Sequence, residues 1–404
     1  MRVVLAPYGS RGDVEPMLAL GHSLRHRGHS VVLAGPPDSQ ALVEADGIPF
    51  HPVALPFSSF FEESRNELKV LYRAFQTIPT QFVAMEKLVA EADAVVGAML
   101  QFAAPSLAEA YHVPYFYAVF SPCYLRSLEQ PALSIPLRRP PKWLHRLTWF
   151  LQDSLFPVLG GALIRERRRR SLTSIASLYD YLARSGSLLA AVDPKLTPVP
   201  SDVLPVHITG FWRRRATGNL PAHVEEFLST GPPPLYVGFG SVQPRMSSEL
   251  MTIIATAASR AGVRVLFPED TRTSAVAASR SCLPVPNIPH DLLFPRVRAV
   301  VHHGGAGTFA SAAVAGRPQG IVAHLGDQYY HGFCVQALGL GPAPLHARTL
   351  TASKLAHMFA ELSTTATYSA NAAAIAPAIR LDGADQASAV IEETLARGKR
   401  SPEL

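Results

Sequence analysis

Cysteine is scarce: Cys123, Cys282 and Cys334 are the only three in 404 residues, far apart and with no CxxC spacing. That excludes a disulfide framework or a cysteine-built zinc site and fits a reducing cytoplasm. Charged residues make up only 17% of the chain against 48% hydrophobic, which excludes an intrinsically disordered or fibrous chain. Long apolar runs are missing too. The longest, from Ala94 to Ala110, is broken by Gln101 and Pro105 and is too short to span a bilayer, so no transmembrane segment is expected. The opening MRVVLAPY lacks the charged region and cleavage site of a secretory leader. No GxGxxG follows the first strand of either half, which argues against a nicotinamide dehydrogenase. Zinc-finger, RNP and basic-zipper patterns are absent as well, so no nucleic-acid partner is expected. The net charge of +6 is partly local, in Arg165 with Arg167 to Arg170 and in Arg213 to Arg215. Such runs read either as solvated faces or as sites for an anionic partner.

What is present is a repeated alternation of short β-branched runs and helical patterns. Val3–Ala6, Ser30–Ala34, Ala94–Val96 and Tyr115–Val119 read as strands, with helices at Pro16–Arg27 and Ser39–Asp46. The rhythm restarts with strands at Leu235–Gly240, Val263–Phe267, Ala299–His302 and Gln319–Ala323 and helices at Ser247–Ala261 and Thr308–Ala315. This is α/β architecture: two Rossmann-like parallel-sheet domains facing across a cleft. The expected boundaries are a first domain at 1–208, a linker at 209–220, a second domain at 221–382 and a final helix at 383–404. The stretch from Leu125 to Arg170 breaks the alternation and reads as helical, specific to function or a cover over the cleft.

Four turns at strand ends carry chemistry. VVHHGGAGT, Val300–Thr308, runs from a strand through glycines into a helix. Amides at a helix N-terminus and close backbone approach suit a phosphate, and His303 adds a donor. PYGSRGDVEP, Pro7–Pro16, places Ser10, Arg11, Gly12 and Asp13 ahead of the first helix, with Asp13 either a cap or a general base. GFGS brings Ser241 to the first strand end of the second half. AHLGDQYYHG, Ala323–Gly332, places Asp327 and Gln328, a pair suited to vicinal sugar hydroxyls but also common in loops and caps.

Together with PYFYAVFSP, AGRPQ and VPNIPHDLLFPR, these segments resemble family 1 glycosyltransferases with the GT-B fold. The resemblance is to the bacterial natural-product branch of vancomycin-type enzymes, and the VPNIPHDLLFPR segment is similar to microbial sterol glucosyltransferases. It implies an N-terminal acceptor domain, a C-terminal nucleotide-sugar domain and a last helix, near Ala384–Arg397, that returns to the first. It implies Asp13 as catalytic base. His303 and the Gly305, Ala306, Gly307 and Thr308 backbone would hold the donor diphosphate, with Ser10, Arg11, Gly12 and Ser241 as further contacts. Asp327 and Gln328 would hold the hexose. A tryptophan that plant-type members stack on the base is replaced here by Asn287, leaving the base to backbone near Ile288. The aromatics Phe57, Phe75, Phe120 and Tyr124 are acceptor-lining candidates or ordinary core. The activity expected is inverting, metal-independent transfer from a UDP- or dTDP-sugar to a hydroxyl of a hydrophobic small-molecule acceptor, with no cofactor. A sugar-nucleotide epimerase and a non-catalytic partner of another transferase are the rival readings.

Overall fold

The computed structural model describes residues 1–62, 67–132, 141–184, 186–203, 205–214, 216, 218–240, 248–269, 281–324 and 326–398. Its frame is a pair of parallel sheets. In the first, β1 (Arg2–Tyr8), β2 (Ser30–Gly35), β3 (Phe50–Pro52), β4 (Ala94–Met99), β5 (Tyr115–Val119), β6 (Ser187–Ala190) and β7 (Val206–Ile208) lie in the order β3-β2-β1-β4-β5-β6-β7. In the second, β8 (Leu235–Gly238), β9 (Val265–Pro268), β10 (Cys282–Val285), β11 (Ala299–His302), β12 (Gln319–Ala323) and β13 (Leu345–His346) follow the order β10-β9-β8-β11-β12-β13. The central strands are buried along almost their whole length, which is why they read as unbroken apolar runs. Strand order reverses beside β1 in one sheet and beside β8 and β11 in the other. Crevices open at such reversals, and the turns after β1 and β11 are the two richest in candidate residues.

Three strands, β5, β11 and β12, coincide with the runs read from sequence. The first helix, α1 (Arg11–His26), does not: it begins five residues before Pro16. The reason is local. Ser10 and Asp13 form a capping pair that starts the helix early, and Pro16 is accommodated inside it. The 125–170 region contains α2 (Lys142–Leu159) and α3 (Gly161–Arg169).

The arginine run on α3 divides in two. Arg167 is 2% exposed, paired with Glu109 at 2.8 Å, bonded to the Thr173 carbonyl and set over the Tyr181 ring. It is an interior clamp, which corrects the solvated-face reading for that residue because all its donors find acceptors. Arg213 pairs with Asp291, while the neighbouring Arg214 reaches Glu15 and Asp46.

Three more helices matter for the site: α4 (Ala306–Val314), α5 (Asp327–Ala337) and α6 (Gly383–Gly398). The last lies on α1. Ala387, Ile391 and Leu395 enter the same apolar cluster as Leu20 and Leu24. Ser388 donates to Ser23, Ser23 donates to Asp385 at 2.5 Å, and Arg27 and His29 both meet Glu392 at 2.8 Å. Ile391 is fully buried, so Ile391→Ala is expected to cost about 2–5 kcal/mol in denaturant unfolding. A loss below about 1 kcal/mol would show that this helix is not part of the cooperative unit.

Candidate active site

The site is built on the ends of β1, β5, β11 and β12. Past β1, Asp13 occupies the first turn of α1, where its Oδ2 accepts from the Ser10 amide at 2.7 Å and the Ser10 hydroxyl at 3.0 Å. Gly9 makes room for it: a Cβ there would stand 2.3 Å from Oδ2. The carboxylate is therefore a cap, but a cap that uses one oxygen. Among the described residues Oδ1 accepts no hydrogen bond. Burial pushes the Asp13 carboxyl up to about 7; the two Ser10 bonds pull it down and the charge of Asp327 adds to the rise.

Asp327, the first residue of α5, comes from the other sheet, and burial raises its carboxyl to about 7 as well. Both charges reach Tyr124, whose hydroxyl is held well above its usual range by burial and by Asp327 and Asp13. Tyr117 on β5 also feels Asp13. Residues 314 positions apart in sequence thus lie close enough for one carboxylate to raise the other.

The turn after β11 is shaped by two neutral histidines that do different work. His302 is fully buried; its Nδ1 accepts from the Gly304 amide at 3.1 Å, so its Nε2 carries the proton and donates to Gln319 Oε1 at 2.9 Å. Burial drives its pKa down to about 3. His303 is 8% exposed, neutral through burial with a pKa near 4, and its ring lies against Gly240 and Gly305. Its Nδ1 is buried and has no hydrogen-bond partner among the described residues. Immediately beyond, α4 begins at Ala306 with Gly305 as its cap residue, no side-chain cap and no acid in its first turn. The amides of Ala306, Gly307 and Thr308 are left to whatever enters, and Gly307 has nothing within 4 Å of its would-be Cβ. Ala306 packs against the apolar cluster under α1, so this helix start faces the first sheet's domain.

His331 was not anticipated. It is 1% exposed, donates Nδ1–H to the Gly304 carbonyl at 2.7 Å and stacks on Phe309. It thereby fastens α5, and with it Asp327, to the glycine turn. Its spacing of four from Asp327 on one helix was the available signal.

The remaining candidates are placed as follows. Arg11 is about half exposed and bonded to Glu15, and its charge helps depress His290 in the other domain. Gly12 is exposed beside it. The Ser10 hydroxyl is committed to Asp13. Ser241 lies outside the described residues. The Ile288 side chain is in the second domain's core, so only its backbone is available to a base. Gln328 is buried with Oε1 accepting from the His324 amide, which makes it part of the turn's own framework. Phe75 and Phe120 correct the acceptor expectation: Phe75 stacks on Phe102 at 4.9 Å in the core, and Phe120 packs edge-on against Trp212. Both are spent on packing. Phe57 and Tyr124 keep partial exposure.

An anion cradle of backbone amides on one wall and a raised carboxylate on the other fit a transferase of activated, anionic donors, and the comparisons with known proteins agree. Residues 3–129 match the glycosyltransferase family 28 N-terminal domain, and residues 252–385 match the erythromycin biosynthesis protein CIII-like C-terminal domain. The vancomycin aglycone glucosyltransferase of Amycolatopsis orientalis is 32% identical over 419 residues, covering 99% of each chain. The chain belongs to the GT-B glycosyltransferases. A sterol 3-beta-glucosyltransferase of Saccharomyces cerevisiae is 29% identical over 86% of this chain and 31% of its own length. Among solved structures, the glycosyltransferase VinC in complex with dTDP superposes with a TM-score of 0.67 at 19% identity, covering 98% and 100% of the two chains. That likeness is one of fold.

In this glycosyltransferase the glycine turn has one position that tolerates no side chain. Gly304 has φ +96°, and a Cβ there would lie 2.8 Å from the Gln328 carbonyl oxygen, a backbone atom. Gly304→Ala is expected to lower stability by about 1–3 kcal/mol, measured by thermal unfolding, whereas Gly307→Ala leaves it unchanged or slightly raised. Equal effects of the two would show that the turn is not braced against α5.

Proposed function

We propose that this glycosyltransferase is an inverting, metal-independent enzyme. In this reading it moves a hexose or deoxyhexose from a UDP- or dTDP-sugar to a hydroxyl of a hydrophobic small-molecule acceptor. The observation that carries the reading is the juxtaposition of Asp13 with the uncapped start of α4 across one cleft. The acceptor O–H gives its proton to Asp13 while its oxygen bonds to the anomeric carbon. The bond from that carbon to the diphosphate oxygen breaks, and the electron pair leaves with the nucleoside diphosphate. Attack and departure on opposite faces invert the configuration.

The leaving group's growing charge meets the amides of Ala306, Gly307 and Thr308, the positive end of the α4 dipole and the orphaned donor capacity of His303. Because His303 is neutral, it serves as a hydrogen-bond donor. Asp327 would take sugar hydroxyls, held in place by the contact of His331 with Gly304. The base of the nucleotide would rest on backbone near Ile288. Relatives are named for a vancomycin aglycone and for a sterol as acceptors, and the partly exposed Phe57 and Tyr124 are side chains here suited to an apolar acceptor surface.

Four outcomes test this. Asp13→Asn keeps an acceptor for the Ser10 bonds but removes the base, so turnover is expected to fall on the order of 10²- to 10⁴-fold while thymidine or uridine diphosphate binding by calorimetry stays near wild type. His303→Ala is expected to weaken diphosphate binding roughly 10- to 150-fold. Activity is expected to survive excess EDTA; abolition by EDTA and restoration by Mg²⁺ would overturn metal independence. The pH profile has a fixed sign. A base works deprotonated, so kcat/KM is expected to rise about tenfold per pH unit below about 7 and to level above it. A profile flat from pH 5 to 8 would mean that Asp13 is not the base.

A further inference from the structure

Helix α2 is apolar on two opposite sides, and only one of them is covered. His145, Trp149 and Phe156 are buried against the first domain. Trp143, Leu147, Phe150, Leu151, Leu155 and Val158 are between 39% and 79% exposed. At 3.6 residues per turn these six fall within an arc of about 140°, opposite the buried side, and run for about 22 Å along the helix. No charged residue falls in that arc. The single hydroxyl within it, on Ser154, is turned inward to the Phe150 carbonyl at 2.8 Å. An uncharged strip of this size in water is uncommon and marks a surface that something covers.

The flanks say what. Lys142 and Arg146 stand exposed at the N-terminal end of the strip, with no ion-pair partner among the described residues. At the other end the chain bends by 61° into α3, where Arg165 folds back toward Gly161 and Arg168 is exposed, again with no ion-pair partner among the described residues. The whole chain carries +6. Two copies meeting through this strip would bring cationic flanks against cationic flanks in either orientation. An anionic lipid surface is complementary to the same pattern, with the ring of Trp143 at headgroup depth and Phe150 and Val158 below it. No single helix among the described residues is long and apolar enough to cross a membrane, so the strip's geometry is that of a helix lying in the plane. We propose that this face of α2 docks the enzyme on the surface of an anionic phospholipid membrane.

The test uses the purified full chain and vesicles of phosphatidylcholine with or without phosphatidylglycerol. The protein is expected to co-sediment with the anionic vesicles at low salt and at least tenfold less with neutral ones. Of the three tryptophans, Trp149 and Trp212 are buried, so a blue shift of the emission on adding vesicles reports Trp143 entering the interface. Phe150→Glu with Val158→Glu is expected to abolish both signals without changing the unfolding temperature, since both side chains are exposed. Lys142→Ala and Arg146→Ala are each expected to weaken vesicle binding about fivefold. Absence of binding and of a blue shift in the wild-type protein would overturn the proposal. So would a dimer in sedimentation equilibrium that the double variant splits, because the strip would then be a contact between copies.

Discussion

Two carboxylates, both only partly exposed, are desolvated on opposite walls of one cleft, and the rest of the site is organised around the cost of keeping them there. Asp13 receives two hydrogen bonds from Ser10 that favour its charged form, yet burial outweighs them and its carboxyl rises to about 7. Asp327 rises to the same range through burial, and its charge adds to the rise of Asp13. A carboxylate at its ordinary pKa would be a feeble base for an alcohol, so the desolvation that weakens the fold is what suits Asp13 to take a proton. Among the described residues no cationic side chain pairs with Asp13; the groups that favour its charged form are the Ser10 amide and hydroxyl.

The backbone of the glycine turn is held by neutral groups. His302 ties Gly304 to Gln319, His331 ties Gly304 to α5, and both histidines are kept uncharged by burial. A charged His302 could no longer accept from the Gly304 amide, and its charge would be repelled by the neighbouring histidines. His303 is the exception in its bonding rather than its charge, since its Nδ1 is left unsatisfied among the described residues. The asymmetry separates two framework histidines from His303, the one proposed to meet the diphosphate.

Much of this was legible in the amino-acid order because the site sits at strand ends. β5, β11 and β12 are buried on both faces, so their apolar runs stop where the strands stop. The short edge strands β3 and β13 left no such trace, being two or three residues long and partly exposed. The start of α1 was misplaced because Pro16 reads as a helix opening, whereas the Ser10–Asp13 pair had already begun the helix. Aromatic content told nothing about location: Phe75 and Phe120 pack in the core while Phe57 and Tyr124 stay partly exposed. The role of His331 depended on Gly304, 27 positions away, and only the folded chain brings them together.

The proposed role of Asp13 requires a carboxyl that titrates near neutrality because it is desolvated. Carboxyl-carbon NMR of the uniformly labelled protein, with Asp13→Asn used to assign the resonance, measures that directly across pH 5 to 9. The account predicts an Asp13 midpoint near 7 that falls when an Asp327→Asn substitution removes the neighbouring charge. A midpoint near 4, unmoved by that substitution, would contradict it and leave Asp13 as a helix cap alone.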